Sequence, residues 1–365
     1  MMKVGRSGML NSTPSPCFVM EKKNLDANLE VFTTLKEKTD ITWLYTLKCF
    51  HEPDGLHYIA NTLSGFSIGN LNEFSKAKTS SYEHIHSYAP AFYESEVMAL
   101  ADASNTMSFN SLTQWIKYND SCAPYSSLGM RLNPKLTLEQ PAHCDASSAN
   151  SRFGMDYQIF IEVYEENEST FEHLEGLHFH TFCHQELSAL KSLLEHISNS
   201  YTAILPKLKW LNFGGGLNFT NPTFDLDGFV ETINTFQDTY PHLQLYFEPG
   251  STIVHETGYF TTTVLDIIED SPAKVILDTS IESHLLDIAI TKQTLNVRGT
   301  SDTQTPYMYE LTGVSCIAGD ILGTYYFDAP LQVEDNVIFE NMMGYTLVKQ
   351  TKFNGIKKAE FNFQK

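Results

Sequence analysis

The feature that most constrains this chain is an alternation. From Ala27 to about His255, short apolar, β-branched or aromatic runs trade places with helical stretches. ITWLYTLK (41–48), GFSIG (65–69), HIHSYA (84–89), TMSFN (106–110), SSLGMRLN (126–133), GLHFHTF (176–182), WLNFGGG (210–216) and LQLYFEP (243–249) read as strands. Between several of them lie helical patterns. In KNLDANLEVFTTLKEK (23–38), Leu25, Leu29, Phe32 and Leu35 recur at helical spacing, and 185–205 reads as a long helix. Parallel strands need a crossover between them, so this spacing implies a parallel sheet, and about eight such units suffice for a (β/α)8 barrel.

After His255 the pattern changes. YFTTTVLDII (259–268), AKVILDTS (273–280), MYELTG (308–313), GTYYF (323–327) and NVIFENM (336–342) are strands with few helices between them. The expected fold class is therefore α/β: a TIM-like (β/α)8 barrel over 21–255 and a β-domain made from 256–365 with the N-terminal arm, 1–20. At 365 residues the chain has room for both and for a sizeable core.

Charge narrows the partners. Lys and Arg number 24 against 44 Asp and Glu, a formal charge of −20. Phosphate-backbone binding needs clustered basic residues, so nucleic acid is disfavoured. A negative field favours a cationic small molecule, although acidity also serves solubility alone. No stretch reaches 18 consecutive apolar residues, and the first twenty lack a signal-peptide core, so no membrane span is expected. The six cysteines (17, 49, 122, 144, 183, 316) are scattered without a C-x-x-C pair. They suggest neither a metal site nor a disulfide framework, and reduced thiols in a cytoplasmic protein fit best.

Several residues carry possible chemistry. Lys48 ends a strand at the face where barrel active sites form, where desolvation would suit its amine to Schiff-base chemistry. Gly214, Gly215 and Gly216 follow an apolar strand and would let backbone amides approach an anion. His178 and His180 share one strand face, as metal ligands, as a ring that stacks on an aromatic group, or as core histidines. Glu248 precedes Pro-Gly at a strand end, and Cys316 lies between strand-like runs. Each also has a plainer reading: a surface lysine, a flexible turn, a packed histidine, a turn carboxylate, a packed thiol.

Taken together, the order of Lys48, the three glycines, Glu248, Cys316 and Tyr345 resembles the ornithine/diaminopimelate/arginine decarboxylase group. These are pyridoxal 5′-phosphate (PLP) enzymes of the alanine-racemase-like fold, fold type III. Within the group the chain is most similar to the carboxynorspermidine/carboxyspermidine decarboxylases. TLKCF, SANSRFG, GLHFHTFC, NFGGG, EPG, ILDTS, SCIAGDILGTYYFDAPL and MMGYTLVKQTKFNG carry the likeness.

The resemblance implies roles. Lys48 would hold the cofactor covalently, His180 would stack on its ring, and Arg131 would lie nearby. Gly214–Gly216 and the Tyr345 hydroxyl would take the phosphate, and Glu248 the pyridine nitrogen. Cys316, from a second subunit, would be the acid at the substrate α-carbon. Asp287 and Asp320 would hold the distal amine of a carboxylated polyamine, in a homodimer with active sites at its interface. Ser251 stands where related sequences often carry glutamate, which bears on how the polyamine tail is bound. Cys49 replaces a common alanine. No metal is implied.

Overall fold

The computed structural model describes residues 14–136, 138–140 and 144–365. They form two compact units. One is Asp26–Ile253; the other joins the residues up to Leu25 with Val254–Lys365.

Strand β1 (Cys17–Glu21) belongs to the second unit, and helix α1 (Lys22–Lys38) leads into the first. That unit contains β2 (Ile41–Thr46), β3 (Gly65–Ile68), β4 (His84–Tyr88), β5 (Thr106–Phe109), β6 (Ser127–Asn133), the short β7 (Met155–Asp156), β8 (Leu174–His178), β9 (Trp210–Asn212) and β10 (Gln244–Phe247). Helices α2 (Pro53–Thr62), α3 (Leu71–Ala77), α4 (Val97–Ala103), α5 (Leu112–Cys122), α6 (Tyr157–Glu166), α7 (Leu187–Ser200) and α8 (Leu226–Thr239) alternate with them. Every pairing is parallel. β10 pairs with β2, and β5 pairs with β6, so eight strands close into a ring with β7 outside it.

The apolar patterns explain the packing. On α1 the stripe Leu25, Leu29, Phe32 and Leu35 is buried. Phe32 meets the Trp43 indole edge-on at 5.3 Å between centroids, and Trp43 also lies 5.4 Å from Phe247. Burying each such ring contributes about 1.5–3 kcal/mol. Successive strand residues face opposite ways, so Leu44, next to Trp43, turns the other way and clusters with Trp210 and Tyr246. Two glycines make room for that layer. A Cβ on Gly129 or Gly176 would run into the Trp210 ring. The indole N–H donates to Ser127 Oγ at 2.8 Å.

The second unit is an eight-stranded mixed sheet. It contains β1, β11 (Gly258–Ile268), β12 (Ala273–Leu277), β13 (Thr300–Ser301), β14 (Tyr307–Thr312), β15 (Ile321–Phe327), β16 (Asn336–Glu340) and β17 (Glu360–Gln364). The order is β13-β15-β14-β12-β11-β1-β17, with β16 also on β11. Strand β1 thus lies in this sheet, between β11 and β17. β17 escaped the sequence reading because it pairs with β1, more than 300 residues away in the chain. Among the described residues no helix is long and apolar enough to cross a membrane.

Candidate active site

The barrel strands deliver their polar residues to one face, their C-terminal ends. Lys48 lies two residues past β2, and Arg131 is inside β6. His178 closes β8 and His180 follows it by two. Gly214 follows β9, and Glu248 follows β10 directly. Lys48, Arg131, His178, His180 and Glu248 all line one cavity of about 430 Å3.

Glu248 is buried, and its Oε1 accepts a 2.8 Å hydrogen bond from Asn212 Nδ2. Behind it, His86 Nε2 lies 3.8 Å from the same oxygen. His86 is itself fixed, with Nδ1 2.8 Å from Thr106 Oγ1 and Nε2 3.2 Å from Ser108 Oγ. Burial raises the Glu248 pKa, against opposing pulls from Asn212 and the Lys48 charge. Burial also pushes the His86 pKa down to about 3, so this ring is neutral.

The Lys48 side chain is open to the cavity, but the surrounding walls remove much of its amine's hydration. That desolvation lowers its pKa, opposed by the Glu248 charge and reinforced by Arg131. The result is an amine that gives up its proton more readily than a surface lysine. The Arg131 guanidinium lies 4.4 Å from the Tyr88 ring centroid and 4.9 Å from that of Phe153. Tyr88 is held in turn, its hydroxyl donating to Asn110 Oδ1 at 2.6 Å.

The glycine run is crowded rather than flexible. Gly214 and Gly216 have φ of +65° and +105°, which side-chain-bearing residues rarely adopt. A Cβ on Gly214 would strike His180, one on Gly215 the Glu248 carbonyl, and one on Gly216 the Phe182 carbonyl. The Gly215 amide donates to His180 Nδ1 at 3.1 Å, and the Gly214 amide to Asn212 Oδ1 at 2.8 Å. The first bond fixes His180 with its proton on Nε2, and burial holds the ring neutral.

One sequence expectation is overturned here. Cys144 and Cys183 form a disulfide, with Cα atoms 6.1 Å apart. Reduced thiols throughout had been expected, because no short spacing flagged a pair. β6 and β8 are neighbours in the ring, so the loops that follow them meet. Cys17, Cys49 and Cys122 are buried free thiols, and Cys316 is an exposed one.

The remaining candidates, Ser251 apart, lie in the second unit. Cys316 donates its amide to Asn354 Oδ1 at 2.8 Å. Asp320 is buried, and its two oxygens accept from the amides of Ile281 (2.8 Å) and Ser315 (3.0 Å). It therefore holds the loop that carries Cys316. Asp287, in α11 (Leu286–Thr291), is ion-paired with Lys349. Tyr345 opens α12 (Tyr345–Val348), and Ser251 opens α9 (Ser251–Val254). Sequence reasoning missed His86, Asn212 and Tyr88; no motif marks them, since their meaning comes from register across neighbouring strands.

Comparison with known proteins decides what kind of site this is. The profile of the pyridoxal-dependent decarboxylase pyridoxal binding domain matches residues 25–255. The chain belongs to the pyridoxal-dependent decarboxylase family. Its cofactor is pyridoxal 5′-phosphate, and the cavity fits one: an amine, a buried carboxylate and a guanidinium converge on it, and Gly214 and Gly215 pack against two of its lining residues, His180 and Glu248.

Among relatives of this decarboxylase, a carboxyaminopropylagmatine decarboxylase of Synechocystis is 35% identical over 95% of this chain and 89% of its own length. A carboxynorspermidine/carboxyspermidine decarboxylase of Campylobacter jejuni is 33% identical over 94% and 91%. The crystal structure of carboxynorspermidine decarboxylase from Campylobacter jejuni, complexed with norspermidine, superimposes with a TM-score of 0.87 at 31% identity, covering 96% of this chain and 94% of that one. Diaminopimelate decarboxylase from Helicobacter pylori shares the fold, with a TM-score of 0.81 at 18% identity.

Proposed function

We propose that this decarboxylase removes the carboxylate of carboxynorspermidine or carboxyspermidine, releasing norspermidine or spermidine in polyamine synthesis. The observation that carries the reading is the joint presence, in one cavity, of Lys48 with a depressed pKa and the buried Glu248 carboxylate. The Campylobacter jejuni relative supplies the substrate class.

When bound, the cofactor supplies an electron sink for the pair left as CO2 departs. The chain's residues do the rest. Lys48 offers its amine for covalent attachment. Glu248 holds a proton on the pyridine nitrogen, a charge-assisted bond worth roughly 1.5–3 kcal/mol. His180 presents a neutral ring face, kept in place by the Gly215 amide. Gly214–Gly216 bound the phosphate end. Two of their amides are engaged within the protein, so we assign them shape and close approach, and assign a hydrogen bond to the Tyr345 hydroxyl.

On the family pattern, the Cys316 thiol delivers the proton to the α-carbon as general acid. Asp320 is committed to backbone amides, so Asp287 is the acid we assign to the distal amine, exchanging Lys349 for substrate. Ser251 in place of a glutamate leaves one anion fewer for that tail. The reading carries with it a homodimer, with Cys316 serving the partner's site, and a cytoplasmic location.

The 35% identity to the Synechocystis enzyme favours a second reading, a substrate whose tail ends in a guanidinium. CO2 release from carboxynorspermidine, carboxyspermidine, carboxyaminopropylagmatine, diaminopimelate and ornithine separates these. We expect the two triamine acids to lead. A preference for carboxyaminopropylagmatine would move the assignment to the second reading, and one for diaminopimelate or ornithine would overturn both.

A further inference from the structure

His178 is the one member of the H-x-H pair that the mechanism leaves without a task. It is 1% exposed, it lines the active-site cavity, and neither ring nitrogen has a hydrogen-bond partner among the described residues. A neutral imidazole always carries one donor and one acceptor. Burying both unpaired is unfavourable, which a folded protein tolerates where a ligand completes the pairing.

The ring is held rather than loose. It meets His86 and Tyr88 edge-on, each at 5.1 Å between centroids. Arg131 sits directly beside it, because the two residues are register partners on β6 and β8. Burial keeps the imidazole neutral.

His86, His178 and Glu248 bring three ligand atoms within 4.8 Å of one another, an arrangement open to a metal ion. Two of those residues are already engaged. Glu248 Oε1 accepts from Asn212, and His86 Nε2 lies 3.2 Å from Ser108 Oγ. His178 alone is unengaged, so the missing partner belongs to it rather than to a shared ion.

The polar atoms of pyridoxal phosphate are few. The proposed function gives the pyridine nitrogen to Glu248, the aldehyde carbon to Lys48, and the phosphate to the glycine end and Tyr345. The ring oxygen at position 3 remains, as His178 does in the protein. We propose that His178 is a cofactor-binding residue that donates a hydrogen bond to the 3-oxygen of pyridoxal phosphate, beside the Arg131 charge. The assignment rests on the cofactor orientation given above.

The test is a binding cycle on apoprotein, with no turnover in the readout. Wild type and His178→Ala are titrated with pyridoxal 5′-phosphate and with 3-deoxypyridoxal 5′-phosphate, following tryptophan fluorescence. Wild type should prefer the natural cofactor. His178→Ala should shrink that preference about 10-fold or more, the size of a hydrogen bond to a charged group, with little change for the deoxy analogue.

An undiminished preference in the variant, or equal weakening of both ligands, overturns the proposal. So does zinc binding to apoprotein that His178→Ala abolishes. His178→Gln, which keeps a donor, should restore part of the preference, and it stands in should the alanine variant fail to fold. Lys48→Ala checks the underlying reading separately. If that variant keeps the visible absorbance of covalently held cofactor, the orientation fails irrespective of His178.

Discussion

Glu248 shows how much of this site is made by neighbours. A buried carboxylate is costly unless its lone pairs are used. Here Asn212 satisfies one oxygen, and His86 stands behind it, held by Thr106 and Ser108. The Glu248→Gln variant keeps the shape and removes the charge. Losing a charge-assisted bond of roughly 1.5–3 kcal/mol should lower kcat/KM about 10- to 100-fold, with the fold intact by circular dichroism. Unchanged kcat/KM would take the pyridine nitrogen away from Glu248. At this scale the sequence was only partly legible. Lys48, Glu248, His180 and the glycines could be singled out because strand ends and glycine runs mark themselves, whereas Arg131 came only from the family resemblance; all of them lie toward the C-terminal ends of their strands. His86 and Asn212 look like ordinary strand residues. Their role exists only once β4, β9 and β10 lie in one ring.

At the scale of elements the reading was easier, because strand and helix periodicities are local properties. The eight parallel strands and the later mixed sheet were both foreseeable. Three things were not. GLHFHTF reads as one continuous strand to 182, whereas β8 stops at His178. Past His178 one backbone bond, from Phe179 N to Asn212 O, still reaches β9, and the His180 ring then accepts from the Gly215 amide. The Cys144–Cys183 link was equally hidden, since it depends on two loops meeting across adjacent strands. The glycines inside strands are a third case. Gly176 is explained by the Trp210 indole that occupies its Cβ position. Gly176→Ala should therefore overpack the barrel interior and cost about 1–3 kcal/mol, read as a lower midpoint in chemical denaturation. A midpoint equal to wild type would mean that Trp210 moves aside freely.

Across the whole molecule, protons and subunits make the testable claims. His86 is neutral in the fold, with a pKa of about 3 against an ordinary 6.5. Between those values the unfolded chain binds the extra proton, so stability rises with pH there. The contribution is fully present above about pH 6.5 and lost as pH falls toward 3. At pH 5 the loss from this residue is on the order of 2 kcal/mol. Thermal melts should fall steeply below pH 6, and less so in a His86→Asn variant.

The dimer proposal has its own check. Lys48→Ala and Cys316→Ala should each be nearly inactive. If the two groups meet only across subunits, mixing the variants and allowing exchange should restore about a quarter of wild-type activity, because half the dimers are hybrids with one whole site each. No recovery would place both groups in one subunit or dismiss Cys316.

Leu44, Trp210 and Tyr246 stopper the middle of the ring. A stoppered ring is a blind alley. Whatever enters at the strand ends must turn round and leave by the same doorway. The carbon dioxide and the amine formed with it share that exit with incoming substrate, so the freed amine should queue as a competitive inhibitor.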